Sequence, residues 1–159
     1  MANLIIEKSK AIRWYSDLQP FFSLMEPVVR SHRWLWSDVD VYAPLPIPDN
    51  DCGWYLIDGD TLFNFVQPGP QFVWSVLSAL SHDAVVELPN LETVPYADGN
   101  SNFWHGSPKP QFPDAEFEVV CWDASATLLI GADEAVANAF RMAYPDARDL
   151  DELNQSTKS

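Results

Sequence analysis

The thirteen prolines of this chain constrain its fold more than any other feature, because each fixes φ and removes a backbone donor. Pro20 closes, or turns away from, a first segment Lys8–Leu18, where Ala11, Ile12, Tyr15 and Leu18 recur at helical spacing beside Trp14. Pro27 must kink, end or restart a second helical stretch over Phe21–His32. Pro44, Pro46 and Pro48 alternate directly after Val39-Asp40-Val41-Tyr42, itself patterned as a half-buried strand. No central strand accepts three missing donors, so 43–50 is an extended connection or an edge. Pro68-Gly69-Pro70 punctuates the middle of the chain, and five prolines with two glycines make 89–113 a long irregular connection. Pro145 stops the last strong helical pattern.

Between these breaks the apolar residues set the expected elements. Gly53–Ile57 and Leu62–Val66 flank Asp58-Gly59-Asp60-Thr61, which predicts a hairpin with a tight turn. Phe72, Val73, Val76, Leu77 and Leu80 form a stripe that predicts a helix over 71–82. Ala84–Leu88 is a short strand candidate. Glu116–Asp123 and Thr127–Gly131 predict a second antiparallel pair around Ala124-Ser125-Ala126. Glu134–Tyr144 predicts a helix with Val136, Ala139, Phe140 and Ala143 inward, its acidic start and Arg141 near its end suiting the dipole. A terminal turn over 147–153 packs Leu150 and Leu153 ahead of a flexible tail from about 154 to 159. The expectation is a single α+β domain over 1–159: a small, mostly antiparallel sheet of two hairpins packed with three to four helices.

Charge narrows the partners. Twenty-three Asp and Glu against nine Lys and Arg leave a formal charge of −14. Residues 51–159 hold seventeen of the acids and four of the bases. Such a surface repels phosphate backbones and anionic lipid, which excludes direct nucleic-acid binding and membrane-surface binding. A basic protein partner would instead be steered in, although acidity also serves solubility alone. No apolar run approaches the roughly 20 residues a membrane span needs, and the start of the chain meets Glu7 too soon for a secretory signal. The expected location is the cytoplasm, where Cys52 and Cys121 stay reduced. Nothing asks for a disulfide between them and nothing forbids one.

The motifs of catalysis are missing. There is no G-x-S-x-G, P-loop, G-x-G-x-x-G or C-x-x-C. His32, His82 and His105 are scattered, and His82 reads as a cap on the stripe before it. Asp49-Asn50-Asp51 falls short of a calcium loop, because Gly53 stands one place early and the late Glu is missing. No catalytic residue, metal or cofactor is therefore assigned. What remains is an alternation of acids with large aromatics: Trp36, Asp38, Asp40, Asp49, Asp51, Trp54, Asp58, Asp60, Glu116 and Glu118, with Trp104 as an anchor in the long loop. Carboxylates on strand faces meet Lys and Arg across an interface, and a Trp supplies its buried contact. The plain alternative places every Trp in the core and every acid on a solvated face.

The stretch Cys121-Trp122-Asp123-Ala124-Ser125-Ala126-Thr127-Leu128-Leu129-Ile130-Gly131, the acidic-start helix after it and Tyr144-Pro145-Asp146-Ala147-Arg148-Asp149-Leu150 resemble small bacterial immunity proteins. These neutralise polymorphic or type VI secretion effector toxins. The resemblance implies a non-catalytic cytoplasmic protein that binds one cognate toxin and blocks its active site. An acidic inhibitor suits a basic, nucleic-acid-targeting toxin, whose cleft expects phosphates. An adaptor or chaperone for a secreted effector, or a small hydrolase using gathered His and carboxylates, are the competing classes.

Overall fold

In chain order the elements are β1 (Ala2–Ile6), α1 (Gln19–Leu24), α2 (Glu26–Ser31), β2 (His32–Val41), β3 (Trp54–Asp58), α3 (Gly59–Val66), β4 (Phe72–Ser81), β5 (Phe117–Trp122), β6 (Ala126–Ala132), α4 (Glu134–Ala143), β7 (Arg148–Asp149) and α5 (Leu150–Ser156). The computed structural model describes residues 1–7, 12–90 and 92–156. The class is α+β, but the sheet is larger than two hairpins. Seven strands join in the order β3-β2-β4-β5-β6-β1-β7, every neighbouring pair antiparallel. Among the described residues no helix is long and apolar enough to cross a membrane.

Side-chain alternation sends strands β1 to β6 into two different layers. Leu4, Ile6, Trp34, Trp36, Leu77, Ala79, Phe117, Val119, Cys121 and Leu129 meet α1 to α4 in an aromatic-rich core. Ile5, Val76, Val120, Leu128 and Ile130 point the other way, against Ala97, Phe103 and Leu150. Leu35 and Leu80 continue that second layer with Phe112. Helices thus cover one face, while the long segment 83–115 and α5 cover the other.

That double burial explains the largest correction. Residues 72–81 form a central strand, not a helix. With both faces buried, polar alternation vanishes, and an apolar run of this length reads equally as a helix stripe. His82 is consequently an exposed residue just after β4, beside Asp83, and caps no helix. The hairpin expected around Asp58–Thr61 is also absent, because Leu62–Val66 belongs to α3. The Asp58 carboxylate accepts the Thr61 N–H at 2.7 Å as an N-cap, and Asp60 sits in the first turn. Gly59 then packs directly on α2: a Cβ there would lie 2.0 Å from the Val29 carbonyl oxygen.

Other expectations fare unevenly. β5 and β6 pair as read, with Asp123 and Ala124 at positive φ in the turn. α4 starts where expected, the Asp133 carboxylate accepting from the Val136 N–H at 2.9 Å. Pro27 begins a new helix, α2, and Pro20 likewise opens α1 rather than ending a helix. Residues 12–18 are bends, turns and coil, and 8–11 of the first expected helix lie outside the described residues. Ala84–Leu88 forms no strand. β2 extends the 39–42 strand back to His32, so Trp34 to Ser37 are strand residues. The tail expected from 154 starts inside α5, where Asn154 is buried and donates to the Phe103 carbonyl at 2.9 Å. Cys121 is buried and Cys52 exposed, both as free thiols.

Candidate protein-binding edge

β3 is the outermost strand at one end of the sheet, paired only with β2. The proline-rich connection 43–50 delivers it there, in accord with missing backbone donors. A polar turn then sets its start. Asn50 accepts from the Cys52 N–H at 3.0 Å and donates through its amide to the Trp54 carbonyl at 3.2 Å. Asp49 accepts from the Tyr55 hydroxyl at 2.6 Å and the Asn50 N–H at 2.9 Å. Those bonds hold the Asp49 carboxyl below its ordinary pKa and the Tyr55 phenol above its own. At the far end Asp58 caps α3, and the donated Thr61 N–H likewise lowers its pKa. Asp60 pairs with Arg30 at 2.9 Å, and that guanidinium also bonds Glu26 and lies over the Phe63 ring. Residues 49–60 hold four acids and no Lys or Arg.

Five of the candidate residues, Asp49, Asp51, Trp54, Asp58 and Asp60, therefore gather along and beside one open strand. Trp54 is half-buried, packed towards Leu35 and Phe112, and donates to the Pro89 carbonyl at 3.1 Å. Leu56, which lies outside the acid-and-aromatic alternation, is 37% exposed at the middle of the strand. Its alternation with Tyr55 and Ile57 was the available signal.

The other candidates go elsewhere. Trp36 is fully buried, its indole N–H donating to the Ser75 hydroxyl at 2.6 Å, and anchors the core instead of a partner. Glu118 is also fully buried and reaches no surface. Its carboxylate accepts from the Ser78 hydroxyl at 2.7 Å and from the N–H groups of Gln111 and Phe112 at 2.6 and 3.1 Å. Desolvation outweighs these bonds and raises its pKa. Asp38 sits at positive φ in an irregularity of β2 and accepts from the Ala97 and Asp98 N–H groups, each at 2.8 Å. Both acids pin the long segment to the sheet. Asn3 does the same from β1, donating to the Pro108 carbonyl at 2.8 Å and accepting from the Gly131 N–H. Asp40 is exposed towards the other end of β2, away from the paired register with β3. Glu116 is exposed and bonds His32, whose other ring nitrogen faces the Val28 carbonyl at 2.7 Å. Trp104 is half-buried and stacks edge-on against Trp122, with ring centres 5.0 Å apart.

Among the described residues no group of three or more His, Cys, Asp or Glu is placed to hold a metal ion. A cleft of about 470 Å³ lies between Tyr42, Pro44, Phe65 and Pro70. Comparison with known protein families, with curated proteins and with solved structures finds no match.

Proposed function

We propose that the chain is an immunity protein, a non-catalytic inhibitor that binds a basic bacterial effector toxin of nucleic-acid-targeting type and occludes its active site in the cytoplasm. One observation carries the reading: exposed carboxylates stand at both ends of an open sheet edge, with Leu56 and the half-buried Trp54 between them. Such an edge offers a basic cleft negative charge together with apolar contact. The charge of −14 adds long-range steering, which favours capture before damage. The test pairs the purified chain with the protein encoded immediately upstream of its gene. Stoichiometric complex formation that abolishes nuclease activity supports the inhibitor. A complex whose toxin remains active overturns it.

An adaptor for a secreted protein is the second reading. The cleft between Tyr42, Pro44, Phe65 and Pro70 favours it, because an adaptor needs an apolar groove. The same activity assay separates the two, since an adapted effector keeps its activity.

A further inference from the structure

We infer that β3 accepts an extended cationic segment of the protein partner as an eighth strand of the sheet. This rests on the reading of the chain as a binder of basic proteins and adds the mode of binding.

The parity of the ladder decides which groups are open. In an antiparallel pair each residue points its N–H and C=O to the same side, and the side alternates along the strand. The Trp54 carbonyl accepts from Asn50, so Trp54 points away from β2. An independent bond at the other side of the sheet agrees. The Ala79 carbonyl accepts from the Glu116 N–H, so Ala79 faces β5. Its register partner Trp34 therefore faces β3 and bonds Ile57, as Trp36 bonds Tyr55. Trp54 and Leu56 are left facing outward. The N–H groups of both and the Leu56 carbonyl have no partner among the described residues.

Natural sheets blunt such edges with Lys, Pro or a bulge. Trp54-Tyr55-Leu56-Ile57-Asp58 has none of these, and its pairing with β2 is regular. The opposite edge, β7, is two residues long and runs directly into α5. Charge selects the occupant. The strand spans roughly 14 Å, with Asp49 and Asp51 before it and Asp58 and Asp60 after it. Arg30 offsets part of the Asp60 charge, and Arg33 turns its guanidinium to the Ala84 carbonyl. A segment with Lys or Arg at both ends meets carboxylates at both ends of β3, while its backbone takes the open groups. A second copy of this chain brings −14 against −14 and is disfavoured.

The test uses the full chain and a synthetic peptide of alternating Val and Lys, with amide hydrogen exchange as readout. The expected result is that saturating peptide slows exchange at Trp54 and Leu56 by about tenfold or more, while Tyr55 and Ile57, already bonded to β2, do not change. A peptide N-methylated on alternate residues, or one of Val and Glu, gives no protection. In Leu56→Pro, which removes only an outward donor, peptide protection disappears while the exchange of β4 and β5 stays as in the wild type. Leu56→Lys repels the peptide and serves if the proline variant misfolds. Protection elsewhere, or no peptide binding, overturns the edge assignment. So does protection of the same amides that rises with protein concentration without peptide, which would give the edge to a second copy. Inhibition of the basic toxin by Leu56→Pro at full strength removes the strand-addition mode and leaves the inhibitor reading standing.

Discussion

The two layers over the sheet share apolar packing but differ in how much of their attachment is polar. The helical layer is held by area: Phe21, Phe22, Trp34, Phe140 and Tyr144 are fully buried and stack edge-on or tilted against one another, and the equally buried Trp36 packs against Tyr55, Phe65 and Phe72. Among the described residues between 83 and 115, the layer over the other face has only the four-residue helical turn Ser101–Trp104. Its attachment combines the apolar contacts of Ala97, Phe103, Trp104 and Phe112 with a few polar groups, the buried Glu118, Asn3 and Asn154 and the half-buried Asp38, each bonded to backbone of that segment. Loss of an aromatic is therefore felt by the whole fold, whereas loss of a polar peg releases one stretch of chain.

The largest effect is expected on the helical side. Trp34→Ala removes a fully buried ring that touches Phe22 and Phe117, and its indole donor to Val29. It should cost about 3–5 kcal/mol in denaturant unfolding, with amides in β2, β4 and β5 losing protection together. Glu118→Ala comes next, at roughly 3 kcal/mol, because three donors lose their acceptor and a cavity opens. Here hydrogen exchange should quicken first at Gln111 and Phe112. Equal loss of protection in α1 and α4 would contradict the contrast between the layers. Asp38→Ala is the smallest, at about 1–2 kcal/mol, because it removes one acceptor of two N–H groups and puts alanine at positive φ. Exchange at Ala97 and Asp98 should report it, and Asp38→Asn should recover part of the loss.

Glu118 also sharpens the comparison through pH. Its pKa is raised in the folded state, so the folded chain holds that proton more tightly than the unfolded one. Its contribution is largest below the ordinary glutamate value and is lost as pH rises through the raised one. The stability of the wild type relative to Glu118→Gln should accordingly fall with rising pH in that window. A difference independent of pH would show that the buried carboxyl has its ordinary affinity for protons.

What could be read from the sequence follows from where the physical cause lies. The β5–β6 pair, α4 and the restart at Pro27 have local causes: short-range alternation, an Asp cap and a fixed φ. β4 has the apolar pattern of a helix because its environment, two covering layers, is set by residues distant in the chain. α3 is not legible locally because Asp58-Gly59 suits both a tight turn and an N-cap, and the close approach to Val29 favours the second. The same limit applies to the site. Asp49, Asp51, Trp54, Asp58 and Asp60 gather because they are neighbours in sequence. Asp38 and Glu118 look identical to them by composition, yet their partners are backbone amides, 59 residues away for Asp38 and Ala97. Acid-and-aromatic alternation cannot separate a carboxylate that meets solvent from one that pins a loop.

The most direct measurement is the association rate with the upstream-encoded toxin across ionic strength, for the wild type and for a variant carrying Asp49→Asn, Asp51→Asn, Asp58→Asn and Asp60→Asn. Asparagine keeps the cap on α3 and the acceptor for Tyr55, so folding is preserved. The wild-type rate should fall steeply between low salt and about 0.1 M, where the screening length is roughly 10 Å. The variant should start lower and depend less on salt. Matching rates and matching salt slopes in the two proteins would contradict the claim that the carboxylates flanking β3 form the binding surface.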